Sequence, residues 1–416
     1  MNVLVLSHLF PSAQDPSAGI FVLEQLRSLR RLGVQAEVVA PTPWAPRWLR
    51  MSNAVRRRMN TAQRESMDGF LVERPAALTP PRRIGFSLLG FLYYLGCRAR
   101  VAAHLQQHRL DLIHAHTILP DGFAAVLLGK EFHLPTVCTL HGSDIKLYPK
   151  RSRATHRATT WALRHVDRLI AVSADLRKES QAMSGRADVA VVPNGADEQV
   201  FVPIPRLQAR TQLGLPPHQK IVSFIGYLRP EKSLTTLLEA FSRLANMDCL
   251  LYFVGDGPSK SELMARAAML GILERCRFVG HQAHSDVPLW LSAADCLALS
   301  SLSEGLPTIL PEAMLCHVPI VTTPAGGISE IVRDGKTGIV VPFSDPAALA
   351  HAVEKIVDNS ALTDELTTNA YTFAKSSLTW TANARSTLAL YEDLLRQYAP
   401  SAAKSVPEVV TTVVSP

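Results

Sequence analysis

The sequence predicts an α/β protein built from two doubly wound, parallel-sheet domains that face each other across a cleft. Three observations predict it. Short β-branched runs alternate with amphipathic helical segments along most of the 416 residues. The strand candidates are apolar almost throughout, the pattern of a parallel sheet covered on both faces. The alternation breaks once, at VPIPRLQARTQLGLPPHQ (202–219), rich in Pro and polar residues, and then restarts.

In order, the first array offers strands NVLVLS (2–7), AEVVA (36–40), DLIHAH (111–116), TVCTLH (136–141), RLIAVS (168–173) and VAVVP (189–193). Between them lie segments such as FVLEQLRSLRRLG (21–33), whose apolar residues recur at three- and four-residue steps and which ends on Gly33 as a helix stop. The second array offers KIVSFIG (220–226), CLLYFVG (249–255), CRFVG (276–280), DCLALS (295–300), VPIVTT (318–323) and GIVVP (338–342). The expected division is a first domain over 1–200, a linker over 201–219, a second domain over 220–375 and a C-terminal helical segment over 376–400. The tail 401–416 mixes Ser, Ala, Val and Pro with no helical period and is expected to fray. In such sheets ligands sit at the carboxyl ends of the strands, and with two facing domains the natural site is the cleft.

Composition excludes several classes. Apolar residues at 47% against 19% charged describe a chain with ample core, not a disordered one. Six cysteines (97, 138, 249, 276, 296, 316) are scattered, with no C-x-x-C and no zinc spacing. They read as buried reduced thiols and favour a reducing, cytoplasmic compartment. MNVLVLSHLF lacks a basic region and a cleavage site, so it reads as a first buried strand. IGFSLLGFLYYLGC (84–97) is 14 residues long, short of the roughly 20 a spanning helix needs.

Charge is uneven. Residues 1–200 carry 26 Lys/Arg against 16 Asp/Glu, and residues 201–416 carry 17 against 20. The excess lies in PRWLRMSNAVRRRM (46–59), PPRRIG (80–85) and KRSRATHR (150–157), interleaved with Trp48, Leu49, Met51, Phe86 and Leu88. That mixture suits a solvated basic face or an anionic membrane surface. No nucleic-acid motif accompanies it, and nucleic acid is not an expected partner.

Several strands run into glycine-rich or polar loops: HGSD (141–144), NGAD (194–197), YLRPEKS (227–233), GDGP (255–258) and PAGGISE (324–330). Glycine there lets backbone N–H groups approach an anionic ligand with a helix N-terminus behind. Any one such loop is only a tight turn; five of them at the strand ends of two facing domains point to a ligand. Arg229 and Lys232 put two cations at one strand end, which suits a diphosphate. No D-x-D occurs, so side chains and helix ends would neutralise that charge without a metal ion, and no cofactor is expected.

The stretch SEGLPTILPEAM (303–314) holds Glu304 and Glu312. Eight residues of continuous helix span about 12 Å, whereas an acid–nucleophile pair of a retaining glycosidase is held about 5–5.5 Å apart. Gly305 and Pro307 favour a loop, and Pro311 suits a first helical turn. Glu304 then lies on a loop and Glu312 in a helix start, addressing different parts of one long ligand. His114, His116 and Asp121 have a spacing open to metal ligation, but a structural or acceptor-side role is the expectation.

At this point the chain resembles a known family. The E-x7-E of SEGLPTILPEAM is similar to the signature of the family-four retaining glycosyltransferases, which have the GT-B fold of two Rossmann-like domains. AGIFVLEQ (18–25), HGSD, VPNGAD, GYLRPEKS, GDGP and GGISEIVRDGKTG (326–338) follow that family in order, from Met1 to about Tyr391. The resemblance implies a nucleotide-diphospho-sugar donor, with Arg229 and Lys232 on the diphosphate and Glu312 accepting from ribose hydroxyls. It implies that Glu304 and His141 contact the donor sugar, that Gly305, Leu306, Pro307 and Thr308 offer backbone groups, and that Gly19 lets the first loop approach the phosphate. Many members carry Arg where this chain has Tyr227, and Arg229 stands two residues on. The opening SHLFPSAQDPSAGIFVLEQ looks most like bacterial exopolysaccharide and envelope-polysaccharide transferases. A saccharide or lipid-linked saccharide acceptor, at the inner face of a membrane, fits the basic half.

Rivals make different demands. A nicotinamide-dependent dehydrogenase needs G-x-G-x-x-G after the first strand, and SHLFPSAQDPSAG does not supply it. A non-catalytic two-lobed sugar-binding protein needs a secretory signal. A sugar-nucleotide epimerase of the same fold remains as an alternative enzyme.

Overall fold

The computed structural model describes residues 1–16, 18–46, 59, 61–80, 85–244 and 248–402. In chain order the first half forms β1 (Asn2–Leu6), β2 (Gln35–Val39), β3 (Thr42–Trp44), β4 (Arg64–Met67), β5 (Phe70–Glu73), β6 (Ala76–Leu78), β7 (Leu112–His116), β8 (Thr136–Leu140), β9 (Arg168–Ala171) and β10 (Val189–Val191). Eight of these make one sheet, ordered β10-β9-β8-β7-β1-β2-β5-β4, and β3 pairs with β6 beside it. The second half forms β11 (Lys220–Ile225), β12 (Cys249–Val254), β13 (Cys276–Gly280), β14 (Cys296–Leu299), β15 (Ile320–Thr322) and β16 (Ile339–Val340). They make a second sheet, ordered β13-β12-β11-β14-β15-β16. Both sheets start in the middle and wind outward in two directions, so each has a switch point: between β1 and β7, and between β11 and β14.

Continuous apolar runs are buried on both faces, as in β7, β8 and β12. Alternate residues serve different layers. Leu4, Leu6, Ile113, Ala115 and Cys138 face one core, and Val3, Val5, Leu112 and Val137 face the other. The first helix, Ile20–Arg31, supplies Leu26 and Leu29 to that second core.

The sequence pattern does not announce β3 to β6. They are short, and β4 reads RESM, without an apolar run. β4 and β5 pair antiparallel at the sheet edge, where one wet face relaxes the demand for apolar side chains. The basic stretches 46–59 and 80–85 lie largely outside the described residues, including Trp48, Leu49 and Met51.

The chain returns to its first half at the end. The C-terminal helix, Trp380–Ala402, packs on the first helix. Its Tyr391 and Leu394 complete the second core of the first sheet, and Gln25 Nε2 donates to Asn383 Oδ1 at 2.7 Å. The crossing is tied by backbone bonds between Ala196 and the 378–380 segment, Ala196 N–H to Leu378 O at 3.0 Å and Trp380 N–H to Ala196 O at 3.1 Å. A Cβ on Gly195 would lie 2.2 Å from the Thr379 carbonyl carbon. The glycine of NGAD therefore serves this backbone crossing. Residues 401 and 402 end the last helix, and the rest of the tail lies outside the described residues. Among the described residues no helix is long and apolar enough to cross a membrane.

Candidate active site

The loops after β11 and β14 flank the switch point of the second sheet, and this topology brings together residues far apart in sequence. Ser300 Oγ donates to the carbonyls of Lys232 and Ser233, both at 2.9 Å, and Leu302 N–H donates to Glu231 O at 2.9 Å. Lys232 Nζ then lies 2.5 Å from Glu304 Oε1, with both side chains largely buried.

These loops meet the first domain at the end of β8. A cavity of about 200 Å³ opens there, lined by His141, Lys146, Arg229, Glu231, Lys232, Glu304 and Gly305, among others. The loops approach each other backbone to backbone here: a Cβ on Gly305 would stand 2.1 Å from the His141 carbonyl oxygen. No larger residue fits at that crossing. Lys146 is a cation the sequence reading missed. It pairs with Asp175 at 2.5 Å and follows HGSD by two residues, the same strand-end placement that singled out Lys232.

His141 is partly buried and belongs to a row of three imidazoles. Its Nε2 lies 3.1 Å from His116 Nδ1, and the His114 and His116 rings are 4.3 Å apart. His114 reaches Tyr391 of the C-terminal helix at 2.5 Å and Thr139 Oγ1 at 2.8 Å. Burial pushes the pKa values of His114 and His141 down to about 3 and that of His116 well below the ordinary value, so the row is neutral. Asp121 turns elsewhere, lying 2.6 Å from His8 Nδ1. His114, His116 and Asp121 do not converge on one point.

A second, larger cavity of about 500 Å³ lies in the same cleft, between the two domains. Ile20 and Leu23 of the first helix form one wall. Ile225, Tyr227, Val254, Gln282, His284 and Val287 form another. Tyr227 is 52% exposed, and the Arg229 guanidinium sits 4.6 Å over its ring. Arg229 thus lines the small cavity while stacking on the wall of the large one.

Glu312 lies in the first turn of the short helix Ile309–Leu315 and is buried. It meets the large cavity through His284, whose Nε2 is 3.1 Å from Glu312 Oε1. The two glutamates therefore address different ends of one cleft. Gly305 and Leu306 offer less than expected on their carbonyl side: Gly327 N–H donates to Gly305 O at 3.0 Å, and Asn194 Nδ2 donates to Leu306 O at 3.3 Å. Pro307 and Thr308 lead into the helix, with Thr308 at its cap. Gly19 caps the first helix with φ at +68°, and a Cβ there would meet Leu9 O at 2.1 Å. Its demand for glycine comes from its own loop, and its neighbour Ile20 reaches the cavity.

The comparisons with known proteins agree on both halves. Residues 205–373 match the family model described as Glycosyl transferases group 1, and residues 18–200 match Glycosyltransferase Family 4. The chain is 31% identical to the provisionally named teichuronic acid biosynthesis glycosyltransferase TuaC of Bacillus subtilis, over 85% of this chain and 89% of that one. Sucrose-phosphate synthase from Thermosynechococcus elongatus superposes with TM-score 0.81 at 21% identity, over 95% of this chain and 100% of the other. Anabaena HepE, solved with UDP-glucose, superposes with TM-score 0.70 at 22% identity, over 97% and 99%. The fold is therefore GT-B, two Rossmann-like domains in one chain.

Proposed function

The chain belongs to glycosyltransferase family 4, and from that premise we propose that it moves a sugar from a nucleotide-diphospho-sugar to a saccharide or lipid-linked saccharide, with retention at the anomeric carbon and without a metal ion. The process is bacterial polysaccharide biosynthesis in the cytoplasm. The observation that carries this reading is the arrangement of the cleft: a larger, mostly apolar cavity and a smaller one holding Lys146, Arg229 and Lys232 lie between the same two domains, bridged by the Tyr227–Arg229 stack. A nucleotide sugar has that same polarity sequence, from base and ribose through diphosphate to hexose.

In this reading the bond from the anomeric carbon to the diphosphate oxygen breaks, and the acceptor oxygen bonds the same face of that carbon. The acceptor proton passes to the leaving phosphate oxygen. The protein positions the partners and stabilises negative charge as it develops. Lys232, held in place by Glu304, is the principal charge partner of this reading, and Arg229 and Lys146 add to the field. Glu304 and His141 touch the donor sugar, and Glu312 receives the ribose hydroxyls. A panel of UDP- and GDP-sugars, screened for binding and then for nucleoside diphosphate release with a saccharide acceptor, tests this. Release that needs acceptor and yields an α-linked product from an α-donor is expected. A free epimerised nucleotide sugar would overturn it.

The acceptor side is proposed to work on an anionic membrane surface. Leu88, Phe91 and Leu95 are 57%, 46% and 51% exposed, one face of the helical segment 86–107. Arg151 lies 4.1 Å over the Phe86 ring at its start. An apolar stripe beside cations fits lipid headgroups. Co-sedimentation with phosphatidylglycerol vesicles at low salt is expected, and none with phosphatidylcholine. No binding to either would discard the membrane surface.

A further inference from the structure

We propose that His284 is a positioning residue for the donor: as an imidazolium between Glu312 and Glu24 it holds Glu312 aimed at the ribose and ties that grip to the facing domain. The proposal rests on the reading that Glu312 receives a nucleotide's ribose hydroxyls.

The geometry is a three-way junction. His284 Nε2 is 3.1 Å from Glu312 Oε1, its own domain's acid. Its Nδ1 is 3.9 Å from Glu24 Oε1, which belongs to the first helix of the other domain. Its ring packs 5.3 Å from Phe201, on the segment joining the domains. It also lines the large cavity. One side chain thus touches the donor cavity, both domains and their connection.

Both carboxylates are buried, and a buried carboxylate needs a partner to stay ionised and in one rotamer. With Oε1 engaged by His284, Glu312 keeps Oε2 for a pair of hydroxyls. The other charged groups near this junction are accounted for. Arg27, one turn along the first helix, pairs with Glu24, and Asp197 raises the pKa of Glu24 further. Burial is the largest influence on His284 and works against its charge, but the hydrogen bond and charge of Glu312, then the charge of Glu24, outweigh burial and Arg27. Its pKa therefore stands above the ordinary histidine value, and burial likewise raises that of Glu24.

The sign follows. Below its raised pKa His284 is charged and the junction is complete. Above it the imidazole is neutral, both carboxylates lose a counter-charge, and the donor grip loosens. Nucleotide binding should therefore weaken as pH rises through the neutral range, with turnover at saturation nearly unchanged.

The test uses the full chain, with UDP and GDP as binding probes in calorimetry between about pH 6 and about pH 9. For the nucleotide that binds, Kd of the wild type should rise about tenfold across that range. His284→Gln keeps a donor that cannot take a proton, and its Kd should change less with pH than that of the wild type, leaving only the titration of the nucleotide's own phosphate. His284→Ala should bind about tenfold more weakly at low pH and show a raised donor KM with kcat preserved. Glu24→Gln should reduce the pH slope while leaving Glu312 in place. Equal Kd and equal slope in wild type and His284→Gln would overturn the proposal. A wild type that binds neither nucleotide overturns the donor reading itself. Thermal unfolding of each variant separates lost positioning from lost folding.

Discussion

The two cavities of the cleft differ in what they do with water and charge. The large one is walled mainly by apolar side chains such as Ile20, Leu23, Ile225, Val254 and Val287, with Arg27, Gln282 and His284 among its polar groups. The small one holds three cations, of which two are already paired, Lys232 with Glu304 and Lys146 with Asp175, while Arg229 stacks on Tyr227. The first can hold a ligand by burying apolar area, which binds ground and transition states alike. The second can respond to charge that appears only as a bond breaks. The difference teaches that affinity and rate are separable here, and mutations at the two ends should separate them.

The largest effect should come at the cationic end. Lys232→Ala should lower kcat by about 10²–10³-fold, because charge developing on the leaving group would lose a cation at this end of the cleft. Steady-state kinetics with a verified donor checks this, and a change confined to KM would break the comparison. Next comes the crossing of the two domains. Gly305→Ala drives a Cβ to 2.1 Å from the His141 carbonyl, which must push the loops apart. A misplacement of this kind costs about 10²-fold in kcat/KM, and the same variant should leave nucleotide binding in the large cavity nearly intact.

Acid should act on the base of the small cavity. His114 and His141 are held neutral to about pH 3 by burial, and His116 is held down by the same cause. A histidine whose folded pKa is depressed binds fewer protons folded than unfolded. Its stability contribution is complete above about pH 6.5 and is lost as pH falls toward 3. Urea unfolding at stepped pH should show a steep decline over that window, and it should be shallower in His116→Gln. The smallest effect belongs to the large cavity. Tyr227→Ala should raise donor KM about 3- to 5-fold with kcat unchanged, through lost stacking with Arg229.

The sheets were legible because parallel strands must be apolar on both faces, so TVCTL and CLLYFV announce themselves. The edge was not, because RESM and TPW answer to one-sided burial and to pairing partners no local pattern names. At the site, Lys232, Arg229 and the separate placement of Glu304 and Glu312 could be read from strand ends, glycine and proline. Lys146 carried the same signal two residues beyond HGSD. His284 carried none, since it is an ordinary polar residue in its own segment, and Glu24 lay within AGIFVLEQ with nothing local to name its partner.

The order of apolar runs and the loop and helix assigned to Glu304 and Glu312 follow from the sequence alone, because they depend on neighbours within a few residues. What only tertiary structure decided is which distant groups meet: Lys232 with Glu304, His284 with Glu312 and Glu24, and the C-terminal helix with the first domain. Those meetings depend on sheet order and on a chain crossing, and contact across a fold leaves no periodic trace in the chain that makes it.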